Sequence, residues 1–329
     1  MGKSIIELMQ APVAQRNLNW LGHSLQAAIK LELSTLPPYL CAMWSIKDQS
    51  GAVYDLIDSV VLEEMVHMGL ACNMLTTIGG TPHINIDVPT YPGPLPGGVR
   101  PELNIYLAGL SKDYLKNVFM EIEYPESGPI ALAMGELYPT IGAFYDAILA
   151  AFKQLNPTIS GERQLTGTIG GNELYVIKTL ADVEKAINEI KQQGEGTSQS
   201  PQTPDFGGEL AHYYKYAEIW HGNTLIKKDD KWQYIGDKIP FPDVFPMTPI
   251  PTGGYTDLSV AAKNALQAFD MQYTRVLNSL QTAWANGSKS DLGKAIGAMF
   301  GLQPLANALM EIKLPDGSGV YGPNFKLIA

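Results

Sequence analysis

A chain of 329 residues, 45% of them hydrophobic, is long enough to bury a large core in one elaborated domain or two. Its formal net charge of -10 excludes a nucleic-acid or anionic-membrane surface, since either needs clustered Lys and Arg, and leaves small molecules or other proteins as partners. No segment is apolar for long enough to span a bilayer or act as a secretory leader, and Ile6 stands where a myristoylation signal wants Ser or Thr, so a cytoplasmic location with two free cysteines is expected.

The first long helix is predicted in LNWLGHSLQAAIKLELSTLPPYLCAMWSI. There Leu21, Leu25, Ala28, Glu32, Leu36 and Tyr39 recur at steps of three or four, which sets Glu32 in an apolar stripe. Taken alone, Glu32 reads first as an acid at the edge of that stripe with its charge in water. Pro37 and Pro38 remove backbone donors one turn later and predict a kink or pause. A second helix runs from about Ala52 to Ile78 and stops at Gly79 and Gly80. The Pro- and Gly-dense stretch that follows predicts irregular chain containing His83, which reads as solvent-facing or structural.

Ser111 offers an N-cap to a helix with Leu115, Val118 and Phe119 on one side, ending before Pro125. YPTIGAFYDAILAAFKQL predicts another core helix, with Ile141, Phe144, Tyr145, Ile148 and Phe152 buried and Asp146 as its acid. A crossover then reads as a strand at NELYVIKTL, an exposed amphipathic helix at ADVEKAINEIKQQGEG and a flexible loop. It delivers the chain to GGELAHYYKYAEIWHG. Beyond lie a small hairpin, Pro-rich coil and two further amphipathic helices, the second of them SDLGKAIGAMFGLQPLANALMEI. The expected organisation is a bundle over residues 1–225, interrupted by the crossover at about 154–205, with the hairpin, coil and extra helices of 226–329 packed on it.

Two spacings carry chemistry. Glu64 and His67 lie three apart inside a strongly apolar helix, and Glu209 and His212 repeat the separation; on a helix each pair shares a face. Two Glu-x-x-His pairs with a carboxylate from another helix are what a four-helix bundle needs to hold two transition metals at its centre. Glu32, Glu64, His67, Glu209 and His212 supply most of that set. Imidazole and carboxylate suit iron or manganese, and without a cation so many buried acids would repel one another. If Glu32 and Glu64 are level on antiparallel helices, Cys41 and Cys72 run off in opposite directions and end roughly 25 Å apart, beyond disulfide reach. His23 and His221 lack such acid partners and read as structural.

The stretches AIKLELSTLPPYL, EEMVHMGLACNMLTTIGG, YPTIGAFYDAI, EGEGTSQSP and GELAHYYKYAEIWHG, with IPFPDVFPM and the ending LPDGSGVYGPNF, resemble the ferritin-like domain family of the iminophenylpyruvate dimer synthase type, from violacein- and indolocarbazole-type pathways. The resemblance extends from about Asn17 to the C-terminus. It implies a mainly α protein: a ferritin-like four-helix bundle with extra C-terminal helices, a long crossover insertion and Pro-rich loops. The synthases so named are much larger proteins, so the coupling chemistry is less directly implied than the fold. Related sequences place an acid in the TIG-x-FY helix where this chain has Ala143. Asp146 is the expected substitute ligand, Glu136 the second choice, and Tyr145 a phenol alternative.

The expected function is therefore a non-haem di-metal oxidoreductase that activates oxygen or peroxide for a small-molecule substrate, with two transition-metal ions, iron ahead of manganese. Tyr213, Tyr214 and Tyr216 read as cavity lining or core packing ahead of any radical role. The alternatives are a metal-binding or iron-handling protein without turnover, and a pathway accessory scaffold. A homo-oligomer is compatible with each.

Overall fold

The computed structural model describes residues 3–86, 88–125, 140–197, 200–256 and 258–328. After a short helix α1 (Ile5–Gln10), whose Ser4 and Glu7 form a reciprocal capping box, the long helices α2 (Leu18–Trp44) and α3 (Ala52–Thr77) fold back on one another across a short turn. Asn17 caps α2 by accepting from the Trp20 amide, and α3 gives way to Gly79 at φ +83, a left-handed position that favours glycine.

Where a kink or pause was expected, α2 does not pause but runs on through Pro37 and Pro38. Pro38 has no N–H for the carbonyl one turn back, that of Ser34. The Tyr91 hydroxyl donates to that oxygen at 2.7 Å instead, so the lost bond is replaced from outside the helix.

A two-residue ladder, β1 (Gly93–Pro94) with β2 (Asn104–Ile105), precedes a helical segment at 112–122, designated α4. Ser111 caps it, and its middle, Leu115–Phe119, is a π-helical turn between α-helical ends. Helix α5 (Ile141–Leu155) begins at the Thr140 cap. A hairpin, β3 (Gly167–Ile169) with β4 (Asn172–Leu174), lies on α3 and leads to α6 (Leu180–Glu195). Val183, Ala186, Ile187 and Ile190 of α6 are buried against α5, α3 and α7 (His212–His221), so this helix is a bundle member and not the exposed one its charged face suggested. Helix α7 packs on α3, α4 and α6 and ends at Gly222.

The hairpin β5 (Asn223–Lys228) and β6 (Lys231–Lys238) follows. Helix α8 (Val260–Asn286) carries α9 (Lys289–Met299) and α10 (Leu302–Met310), where one helix was expected. The break falls at Gly301, where a Cβ would come within 2.6 Å of the Gln272 amide on α8, and Pro304 favours a helix start just beyond. Trp44 at the end of α2 stacks on Phe325 with ring centres 6.0 Å apart, and the Trp284 indole donates to Asn73 at 3.1 Å, which ties the C-terminal helices to the bundle. Cys41 and Cys72 are free and buried, and no helix among the described residues is long and apolar enough to cross a membrane.

Candidate metal site

Five of the acids and imidazoles on the bundle axis form two groups that share a member. Glu32 of α2 and Glu64 and His67 of α3 make one trio; Glu64, Glu123 at the end of α4 and His212 at the start of α7 make the other. Within each trio the donor atoms lie inside 4.8 Å of one another, and all five side chains are buried. Such groups could hold a metal ion.

The orientation of each donor is enforced by a neighbour. Glu64 presents Oε1 to both imidazoles, 3.5 Å from His67 Nδ1 and 3.0 Å from His212 Nδ1, while its Oε2 accepts from the Thr35 hydroxyl at 2.8 Å. Glu32 accepts from the Tyr145 hydroxyl on Oε1 and turns Oε2 toward His67 Nδ1 at 3.9 Å. Glu123 accepts from the Tyr39 hydroxyl on Oε1 and turns Oε2 toward His212 Nδ1 at 3.4 Å. Each terminal carboxylate thus has one oxygen held and one aimed inward. Burial and the adjacent carboxylates push the hydroxyls of Tyr39 and Tyr145 well above the usual phenol range, so both stay protonated donors.

The histidines are fixed from behind in the same way. His67 Nε2 lies 2.7 Å from Gln193 Oε1 of α6, and His212 Nε2 lies 2.7 Å from Glu63 Oε2. Glu63 also receives the buried Lys215 ammonium at 2.8 Å. A hydrogen bond behind one ring nitrogen fixes the tautomer that frees the other as a ligand, here Nδ1 on both rings. His212 Nδ1 makes no geometrically sound hydrogen bond although it is fully buried. An orphaned imidazole nitrogen facing two carboxylates, those of Glu64 and Glu123, fits a cation better than any protein donor.

Electrostatics agrees. Burial, reinforced by the Glu64 charge, pushes Glu32 up to about 8, and the same two causes raise Glu123. Burial alone would raise Glu64 too, but the close approach and charges of His212 and His67 outweigh it and hold this carboxylate well below its ordinary range. His67 is lifted to about 9 by Glu64 and Glu32 against the effect of its burial, and His212 is raised further from its ordinary value by Glu123, Glu63 and Glu64. Without a metal, protons on the imidazoles and on Glu32 stand in for the missing positive charge.

Glu32, Glu64, His67 and His212 are brought together as expected from the sequence; Glu209 and Asp146 are not. Helix α7 starts at His212, so Glu209 precedes it in extended chain, its side chain 64% exposed and bound to Lys215 at 3.2 Å. The three-residue spacing shares a face only inside a helix. Asp146 projects from the outer face of α5, 57% exposed, in an ion pair with Lys191 at 2.7 Å; the phenol beside it, Tyr145, turns inward onto Glu32. Glu136 lies outside the described residues. Glu123 was missed by the sequence reading. It stands four residues after the buried Phe119, a signal that the proximity of Pro125 obscured by marking the segment as a helix end.

A small cavity of about 40 Å³ reaches this cluster between α5 and α6, with Gly142 and Gly194 in its rim. That is room for a water or a diatomic molecule, against roughly 300–1,000 Å³ for the usual organic-ligand pocket.

The family model described as ferritin-like matches residues 25–221, well over half of the chain and every residue of both trios. No curated protein sequence matches. Among solved structures, a ferritin-like protein from Caulobacter vibrioides superposes with a TM-score of 0.65 over 95% of this chain and 99% of that chain, at 22% identity, a likeness in fold. With the bundle, the two acid–histidine trios and a family match across all of them, the chain belongs to the ferritin-like family.

Proposed function

We propose that this protein is a non-haem di-metal oxidoreductase acting on dioxygen or peroxide, with iron ahead of manganese as the metal. The observation that carries the reading is the sharing of Glu64 between two buried trios, which suits a carboxylate bridging two cations. Glu32 and His67 would complete one position, Glu123 and His212 the other. Bound there, iron would supply the electrons that reduce an oxidant.

The chain's own residues do the rest. Tyr145, Tyr39 and Thr35 hold the three carboxylates, so the donor set is organised before metal arrives. Gln193 and Glu63 hold the rings, and Lys215 offsets the Glu63 charge that would otherwise lie buried beside the site. The cavity size supports a diatomic oxidant at the cluster and an organic substrate, if there is one, outside it. The same size favours a second reading, iron handling without organic turnover. The finer likeness to the iminophenylpyruvate dimer synthase type supports a place in secondary metabolism and rests on sequence stretches rather than on the site.

Anaerobic loading with Fe(II), followed by exposure to oxygen, tests the proposal. Oxygen consumption and iron oxidation that repeat with added reductant support an oxidoreductase. Stoichiometric oxidation that stops after one event supports iron handling, and failure to retain iron or manganese refutes both.

A further inference from the structure

We propose, resting on the di-metal reading above, that the two metal positions are unequal. The position at Glu64, Glu123 and His212 fills first and holds its ion; the one at Glu32, Glu64 and His67 fills second and exchanges through the cavity. Glu63, backed by Lys215, is the positioning residue that sets this order.

The two imidazoles differ in what stands behind them. His67 Nε2 faces the neutral amide oxygen of Gln193, and His212 Nε2 faces the carboxylate of Glu63, both at 2.7 Å. A charged acceptor makes such a hydrogen bond roughly twice as strong as a neutral one, and it raises the basicity of the nitrogen left free for a metal. Lys215 fixes the arrangement. Buried itself, it donates to Glu63 Oε1 at 2.8 Å, which leaves Oε2 for the ring and offsets the Glu63 charge on its other oxygen. The same ammonium reaches the exposed Glu209 at 3.2 Å, so the Glu209 carboxylate, which is no ligand, anchors the group that holds Glu63.

The donor atoms are gathered unequally as well. His212 Nδ1 lies 3.0 Å from Glu64 and 3.4 Å from Glu123, against 3.5 Å from Glu64 and 3.9 Å from Glu32 for His67 Nδ1. A donor set already drawn together rearranges less when it closes on a cation. Access runs the other way. Glu32, His67 and Tyr145 line the cavity that reaches the cluster, and His212 does not. The His212 position is therefore the inner one, better held and harder to reach, and the His67 position is the one open to metal exchange and to a diatomic oxidant.

Anaerobic crystals of the full-length protein with one equivalent of Mn(II), and then with excess, test the order through the anomalous peak at each position. The stronger bond behind His212 is worth about tenfold in affinity, which divides a single tightly bound equivalent about 3:1 in favour of the peak beside Glu123 and His212. Excess Mn(II) should fill both. Glu63→Gln combined with Lys215→Met places a neutral amide behind each ring and should bring the ratio toward 1:1, a change that loss of packing alone would not make. Equal or reversed peaks in the wild type, or an undiminished ratio in the double variant, overturn the proposal while leaving two metals in place; no peak at the cluster even in excess removes the di-metal reading with it. If the double variant fails to fold, chelator competition still decides: Gln193→Leu should move the weaker of two metal equilibria, and movement of the tighter one overturns the order.

Discussion

Gln193→Leu removes the group behind His67 while nearly conserving volume, and so isolates ring orientation from packing. The Gln193 amide oxygen sits 2.7 Å from His67 Nε2, and both side chains are buried, so water does not replace the bond when the amide is lost. A hydrogen bond to a buried group of this kind is worth about 1.5–3 kcal/mol, or about 10- to 100-fold in affinity. The half-site of Glu32, Glu64 and His67 should lose metal affinity by that factor, while the half-site of Glu64, Glu123 and His212, whose ring is held by Glu63, should change little. Competition with a chromophoric chelator at fixed pH would resolve two metal equivalents, one shifted. Equal weakening of both, or no change in either, would refute the assignment of Nδ1 as the ligand atom of His67.

Glu123→Ala should abolish one metal equivalent and Glu209→Ala neither, measured as metal per chain after gel filtration, because Glu123 faces His212 and Glu209 is a surface partner of Lys215. Metal-free protein should lose thermal stability as pH rises from about 5 to 9. Glu32, raised from 4.5 to about 8, and His67, raised from 6.5 to about 9, each contribute stability that is full below the lower value and gone above the higher. Loaded protein should show a flatter profile in the same melts, since metal displaces those protons; identical slopes would contradict this. Metal addition at pH 7 in weak buffer should accordingly release protons from Glu32, His67 and His212, seen with an indicator dye. Tyr145→Phe should fold and bind metal more weakly through loss of the hold on Glu32, with loss below that of Glu123→Ala.

Helical periodicity made the α2 and α3 contributions legible, because both helices are long and Glu32, Glu64 and His67 repeat with the buried residues around them. Periodicity misled where the element was short. Helix α7 has only ten residues, and whether Glu209 lay inside it depended on where it began; the backbone instead sends Glu209 outward while Thr203 takes its carbonyl. Asp146 failed for a related reason: Phe144, Tyr145, Ile148 and Phe152 already define the buried face of α5, and Asp146 lies off it. Gln193 and Glu63 carried no motif. Their roles come from the packing of α6 and α7 against α3, which no local pattern encodes.

The central claim is that Glu64 lies between two metal ions. An anomalous-scattering map from iron-loaded crystals tests it most directly: the account predicts two peaks, one beside Glu32 and His67 and one beside Glu123 and His212, with Glu64 reaching both and Glu209 remote. A single peak that leaves Glu64 unligated, or density at Glu209 in place of the cluster, would contradict it.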